Sequence, residues 1–183
     1  MKKAILFSSI LFIGSVTANA QTFRQLDKSP TDIAYYPDNF AHDRKGDEKA
    51  LVKVIYSRPA KKDREVMGKL VPFGKVWRMG ADESPEIKFY QDAVFGGKKV
   101  KAGTYSLFAI PGEKEWTVIL NKDVDFWGAY KYKEENDVLR IQAPVKKSDT
   151  PLENFSLQFA KEGAGAMMNF GWENTIVSVP VTF

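Results

Sequence analysis

The chain has 183 residues, 44% of them hydrophobic and 13% aromatic, with 27 Lys and Arg against 23 Asp and Glu, one His and no Cys. Its charges of both signs are interspersed and sum to only +4, which argues against nucleic acid as a partner. The missing Cys excludes disulfides, thiol nucleophiles and Cys-based zinc sites, and the lone His42, in the polar stretch "FAHDRKGDEK", leaves no imidazole pair for a metal centre and only a loop residue for a Ser-His-Asp triad.

In chain order, "MKKAILFSSILFIGSVTANAQTF" opens with Lys2 and Lys3, continues with an apolar run from Ala4 to Val16, and ends on Ala18-Asn19-Ala20. That is the layout of a secretory signal, with residues 1–20 removed and Gln21 as the mature start. The run is short for a membrane anchor. No lipidated Cys is available, so the reading is a soluble exported protein, periplasmic or extracellular, with no stable membrane insertion after cleavage. Residues 21–48 are polar and contain Pro, and read as an irregular lead-in.

From residue 49 the pattern has the period of strands. "ALVKVIYSRP" alternates, with Val52, Val54 and Tyr56 on one face; "PEIKFYQ" places Ile87 and Phe89 on one face. "AVFGGKKVKAGTYSLFAIPG" carries a Gly96-Gly97 turn before a further strand, and the short polar link "IPGEKEW" joins that strand to "EWTVILNK" as a hairpin. "DVLRIQAPV", "LENFSLQFA", "AMMNFGWE" and "TIVSVPVTF" are each of strand length, with "KEGAG" and "EN" as turns between them. Pro180 marks an edge position or a bulge. "REVMGKLV" is the one candidate for a short helical turn. The composite is an all-β, single-domain antiparallel β-sandwich, jelly-roll-like, of about eight strands over residues 49–183.

Chemistry-bearing residues gather in "GKVWRMGADESPEIKF". Adjacent residues of an extended chain face opposite ways, so Asp82 and Glu83 do not form one acid/base pair if the strand has begun there. Arg58, ending "YSRP", and Arg78, between Trp77 and Gly80, are suited to bidentate binding of a carboxylate, either internal or on a ligand. Trp116 and Trp172 lie on alternating strands and read as core. Trp127 and Tyr130, in "FWGAY", read as a loop pinned by aromatics or as a surface platform for sugars. Asn121, Asp123 and Asp125 echo a calcium loop but lack its Gly and Glu, with Phe126 and Tyr132 in those places, so neither metal nor cofactor is expected.

Several stretches together, "VIYSRP", "LVPFGKVWRMGADE", "KAGTYSLFAIPGEKEWTVILNK", "WGAYKYKEENDVLRI" and "FGWENTIVSVPV", resemble the exported bacterial proteins grouped as domain of unknown function 2911, over about residues 29–183. The resemblance implies a compact β domain behind a signal peptide and implies no reaction. That family commonly has Asn where Asp82 stands, which turns attention to Glu83 and Arg78, the positions that match. The expectation is a non-catalytic binding module for a small or glycan-type ligand or an envelope component. Arg58, Trp77, Arg78, Glu83, Trp127 and Tyr130 are its candidate contacts. The alternatives are a glycosidase-like hydrolase using Glu83 and a structural or assembly protein of the envelope.

Overall fold

The computed structural model describes residues 22–183; residues 1–20, expected to be a secretory signal, lie outside them. The strands are β1 (Thr31–Tyr36), β2 (Val52–Ser57), β3 (Glu86–Phe89), β4 (Ala93–Phe95), β5 (Lys98–Val100), β6 (Gly103–Ile110), β7 (Glu115–Asn121), β8 (Asp137–Glu162) and β9 (Gly165–Thr182). A four-residue helix α1 (Phe40–Asp43) and a 3-10 turn at Glu134–Asn136 are the only helical elements among the described residues. One antiparallel sheet joins all nine strands in the order β1-β2-β3-β6-β7-β8-β9-β4-β5.

The alternation read in the sequence sets the core. Val52, Val54, Tyr56, Ile87 and Phe89 are buried as expected, and with Trp77, Trp116, Phe155 and Trp172 they belong to one hydrophobic cluster. The predicted hairpin is present as β6 and β7, paired from Ser106↔Asn121 to Ile110↔Thr117. β6 is covered on both faces. Leu107 and Ala109 point into the core, while Phe108 on the opposite face is capped by the rings of Phe126 and Tyr132, with centroids 5.9 and 5.1 Å away.

Three expectations are corrected. The lead-in supplies β1, which pairs with β2 from Thr31↔Ser57 to Tyr36↔Val52 and forms one edge of the sheet. "REVMGKLV" is a turn, not a helix: the Val71 N–H donates to Val66 O and the Gly68 N–H to Val71 O, with Gly68 at φ +87. This agrees with the helix penalty of an interior glycine.

The last four expected strands are two. β8 and β9 stay paired from Val145↔Val177 to Glu162↔Gly165, and the register shifts between Lys147 and Ser156 absorb a bend. "EN" is the kink in β9, with Glu173 at φ 56, and not a loop. The outer half of the ribbon folds back on the end of β2. The Phe155 N–H donates to Pro59 O and the Lys61 N–H to Glu153 O, and the Tyr56 hydroxyl bonds both backbone groups of Leu157. The bend also brings the two ends of β9 together, so closely that a Cβ on Gly165 would lie 2.2 Å from the Val181 carbonyl oxygen. Only glycine permits that approach. Pro180 lies beyond the last β8 pairing of β9, where no ladder donor is required of it.

Candidate functional site

The segment 77–84 crosses one end of the sheet. Trp77 is fixed by backbone bonds in both directions with Ala109 and enters the core, stacked on Trp172 at 6.1 Å and edge-on to Trp116 and Phe155. It is 8% exposed, so its ring packs the interior and does not face a ligand. Gly80, at φ +154, passes close to Ser57, where an added Cβ would meet the carbonyl oxygen at 3.0 Å. Asp82 adopts φ 57, and the strand begins only at Glu86. Asp82 therefore sits in a bend, while Glu83 forms a single antiparallel bridge with Trp127.

Asp82 is turned toward Asp27 and Arg78. Partial burial raises its pKa, the negative charges of Asp27 and Glu83 add to the rise, and Arg78 opposes it. Arg78 has its Nε buried with no acceptor among the described residues. Arg58 is occupied elsewhere: Nη1 binds Asp32 Oδ2 at 2.8 Å, Nη2 binds Ser156 Oγ at 2.9 Å and Nε reaches Phe155 O at 3.3 Å. It ties β1 and β2 to the folded-back half of β8.

Glu83 is exposed and faces a cleft of about 330 Å³ lined by Thr31, Ile55, Tyr56, Ser57, Ser84, Glu86 and Asp125 besides itself. Three carboxylates and several hydroxyls share this cleft. Among the described residues no group of three acids or imidazoles is close enough to hold a metal ion. Glu86 is partly engaged, because its Oε1 accepts the Asp125 N–H at 3.2 Å.

The loop from 122 to 136 builds the outer wall. Its backbone pairs with the 82–84 turn: the Ser84 N–H donates to Phe126 O at 2.9 Å and the Gly128 N–H to Asp82 O at 2.8 Å, with Glu83 opposite Trp127. Phe126 and Tyr132 anchor the loop on Phe108, while Trp127 is 61% and Tyr130 84% exposed. The Tyr130 ring lies over Gly128.

The loop's far end is held by Asp137, which accepts from Asn121 Nδ2, the Tyr132 hydroxyl and Arg140 Nε at 2.8, 2.6 and 2.6 Å. Burial first, and then Asp137, push Tyr132 up to about 12. Burial works against the Arg140 charge, but its bonds to Asp137 and Tyr132 outweigh that and leave its pKa raised. Of the three residues that echo a calcium loop, Asn121 and Asp123 bond within this loop, Asn121 Oδ1 accepting the Asp123 N–H and Asn136 Nδ2 donating to Asp123, while Asp125 lines the Glu83 cleft.

Of the six expected contacts, the structure thus groups Glu83, Trp127 and Tyr130 in one region. It assigns Trp77 to the core and Arg58 to an internal clamp. Glu86 and Asp125 were not singled out for this cleft by the sequence: Glu86 follows Glu83 by three residues, while Asp125 is brought there by the pairing of two distant loops. His42 is exposed on α1 beside Asp43. A larger cleft of about 430 Å³ at β4 and β5 carries Asp92 and Lys101, which satisfy each other at 2.7 Å.

A mainly β, antiparallel domain with an acidic cleft beside exposed aromatics is the class of protein these features define. The chain belongs to the family described as protein of unknown function (DUF2911), whose model matches residues 37–181. No curated protein and no solved structure matches the chain.

Proposed function

We propose that the chain is an exported, non-catalytic binding module that takes a small or glycan-type ligand at the Glu83 cleft. The observation that carries this reading is the Glu83–Trp127 backbone bridge, which ties the loop that carries an exposed indole to the segment whose Glu83 lines the cleft together with Glu86, Asp125 and the Ser57 and Thr31 hydroxyls. Carboxylates and hydroxyls accept hydrogen bonds from a donor-rich ligand, and a Trp face stacks on the apolar side of a sugar ring. The matching ligand is a polyhydroxylated or amino-bearing saccharide of the cell envelope. The folded-back ribbon supports a two-leaf, sandwich-like arrangement in which this cleft lies at one end. The secretory layout of residues 1–20 supports a periplasmic or extracellular setting.

The test is titration with glucosamine and glucose oligosaccharides, followed by tryptophan fluorescence and calorimetry. Saturable binding that is lost in Trp127→Ala and weakened in Glu83→Gln, with both variants folded, supports the reading. Binding unchanged in both variants refutes it. A second reading, a carboxylate-dependent hydrolase using Glu83, is favoured by the three acids in one cleft. It requires turnover of a glycoside that Glu83→Gln abolishes.

A further inference from the structure

We infer a second ligand site, separate from the Glu83 cleft, for a small organic carboxylate with an apolar body. It lies where the 66–73 turn, the β6–β7 hairpin loop and the bend of the β8–β9 ribbon meet. The cleft there measures about 330 Å³, at the low end of the range of roughly 300–1,000 Å³ typical of small-molecule sites.

Its deepest lining residues are polar in part. Trp116 is 0% exposed, lines the cleft, and has its indole Nε1 buried with no acceptor among the described residues. A buried donor without a partner is costly and uncommon. Another core indole, Trp172, shows the ordinary arrangement, donating to Glu153 O at 3.0 Å. Trp116 is held by aromatic packing against Trp77 and Phe170, and its Nε1 is closed to water, so an acceptor in the cleft reaches the N–H only when a lining side chain shifts aside. Thr175, 4% exposed, lines the same cleft.

The remaining lining fixes the class of ligand. Met67, Phe73 and Val145 supply apolar walls, while Lys114 and Lys147 lie at the rim with one acid, Glu113. Neither lysine is in an ion pair among the described residues, whereas Lys61 and Lys101 both have carboxylate partners. Two free ammonium groups against one carboxylate give the rim a net positive charge. A buried N–H donor, apolar walls and a cationic rim together suit an anionic acceptor attached to a hydrophobic group.

The test follows the indole N–H signals of the four tryptophans in the 15N-labelled protein, with Trp116 assigned from Trp116→Phe. Phenylacetate is the probe, and acetate and inorganic phosphate are comparators. Phenylacetate is expected to move the Trp116 signal saturably, and Lys114→Ala/Lys147→Ala is expected to weaken binding by roughly tenfold, equivalent to about 1.4 kcal/mol. Both substitutions are at exposed positions, and a dispersed spectrum verifies folding. A Trp116 signal that stays still, or an affinity unchanged in the double variant, overturns the inference. Phosphate acting as strongly as phenylacetate replaces it with a bare anion site. Glu83→Gln and Trp127→Ala leave this response intact, so it stands or falls apart from the Glu83 cleft.

Discussion

Replacing Tyr56 by Phe removes a single oxygen and tests whether the long ribbon is folded back on β2. The hydroxyl is the only link from β2 itself to Leu157: it donates to the carbonyl at 2.9 Å and accepts from the N–H at 3.1 Å. Both residues are 4% exposed, so water does not replace either bond. Each buried backbone group left unpaired costs about 1–3 kcal/mol. The two together predict a loss of roughly 2–6 kcal/mol, or, at about 2–4 °C per kcal/mol for a domain of this size, a fall in Tm of at least about 4 °C. Urea unfolding should show a lower midpoint with an unchanged slope.

The pH dependence supplies a second check. Burial raises the Tyr56 pKa above its ordinary 10.0, so the neutral hydroxyl is the form the fold favours. Its contribution is complete below the ordinary value and is lost as pH rises through the raised one, and the gap between wild type and Tyr56→Phe should narrow there. A loss below about 0.5 kcal/mol, in the range of an ordinary surface change, would refute the docking of the ribbon.

Asp137→Ala removes one acceptor from each of Asn121, Tyr132 and Arg140 together. Allowing for the partial exposure of Arg140, a cost of roughly 2–3 kcal/mol is expected by denaturant titration, with limited proteolysis accelerating between residues 122 and 136. Asp82→Asn should stabilise the protein at neutral pH by about 0.5 kcal/mol or more. The Asp82 pKa is raised, so its favourable contribution is present below the ordinary carboxylate value and lost as pH rises through the raised one. The gain should therefore vanish as the pH is lowered below that ordinary value. Gly165→Ala forces a Cβ against the Val181 carbonyl, and thermal unfolding should report a loss of about 1–3 kcal/mol from overpacking.

The strands were legible in the sequence because burial imposes a period of two, and Val52, Val54 and Tyr56 or Ile87 and Phe89 display it without ambiguity. The continuity of β8 and β9 was not legible. Glu173-Asn174 has the composition of a turn, and only pairing across the bend keeps it within a strand. β1 was missed because "TDIAYY" is embedded in a polar, Pro-containing segment, and its pairing with β2 is what makes it a strand. Trp127 and Tyr130 were recognisable as loop aromatics set apart from the strand pattern, and both are exposed. Arg58 and Trp77 were misleading for the opposite reason. Residue type alone does not tell an Arg that clamps strands from one that grips a ligand, nor a Trp at the rim from one in the core. Asp125 reaches Glu86, and with it the Glu83 cleft, across 39 residues of sequence, a proximity no local pattern encodes.

The most direct measurement of the proposed role is a titration of the 15N-labelled protein with glucosamine oligosaccharides, read as backbone and indole shifts. Shifts that saturate and concentrate at Glu83, Glu86, Asp125 and the Trp127 indole are the predicted result. Shifts that never saturate, or that leave those residues unmoved while others respond, would contradict it.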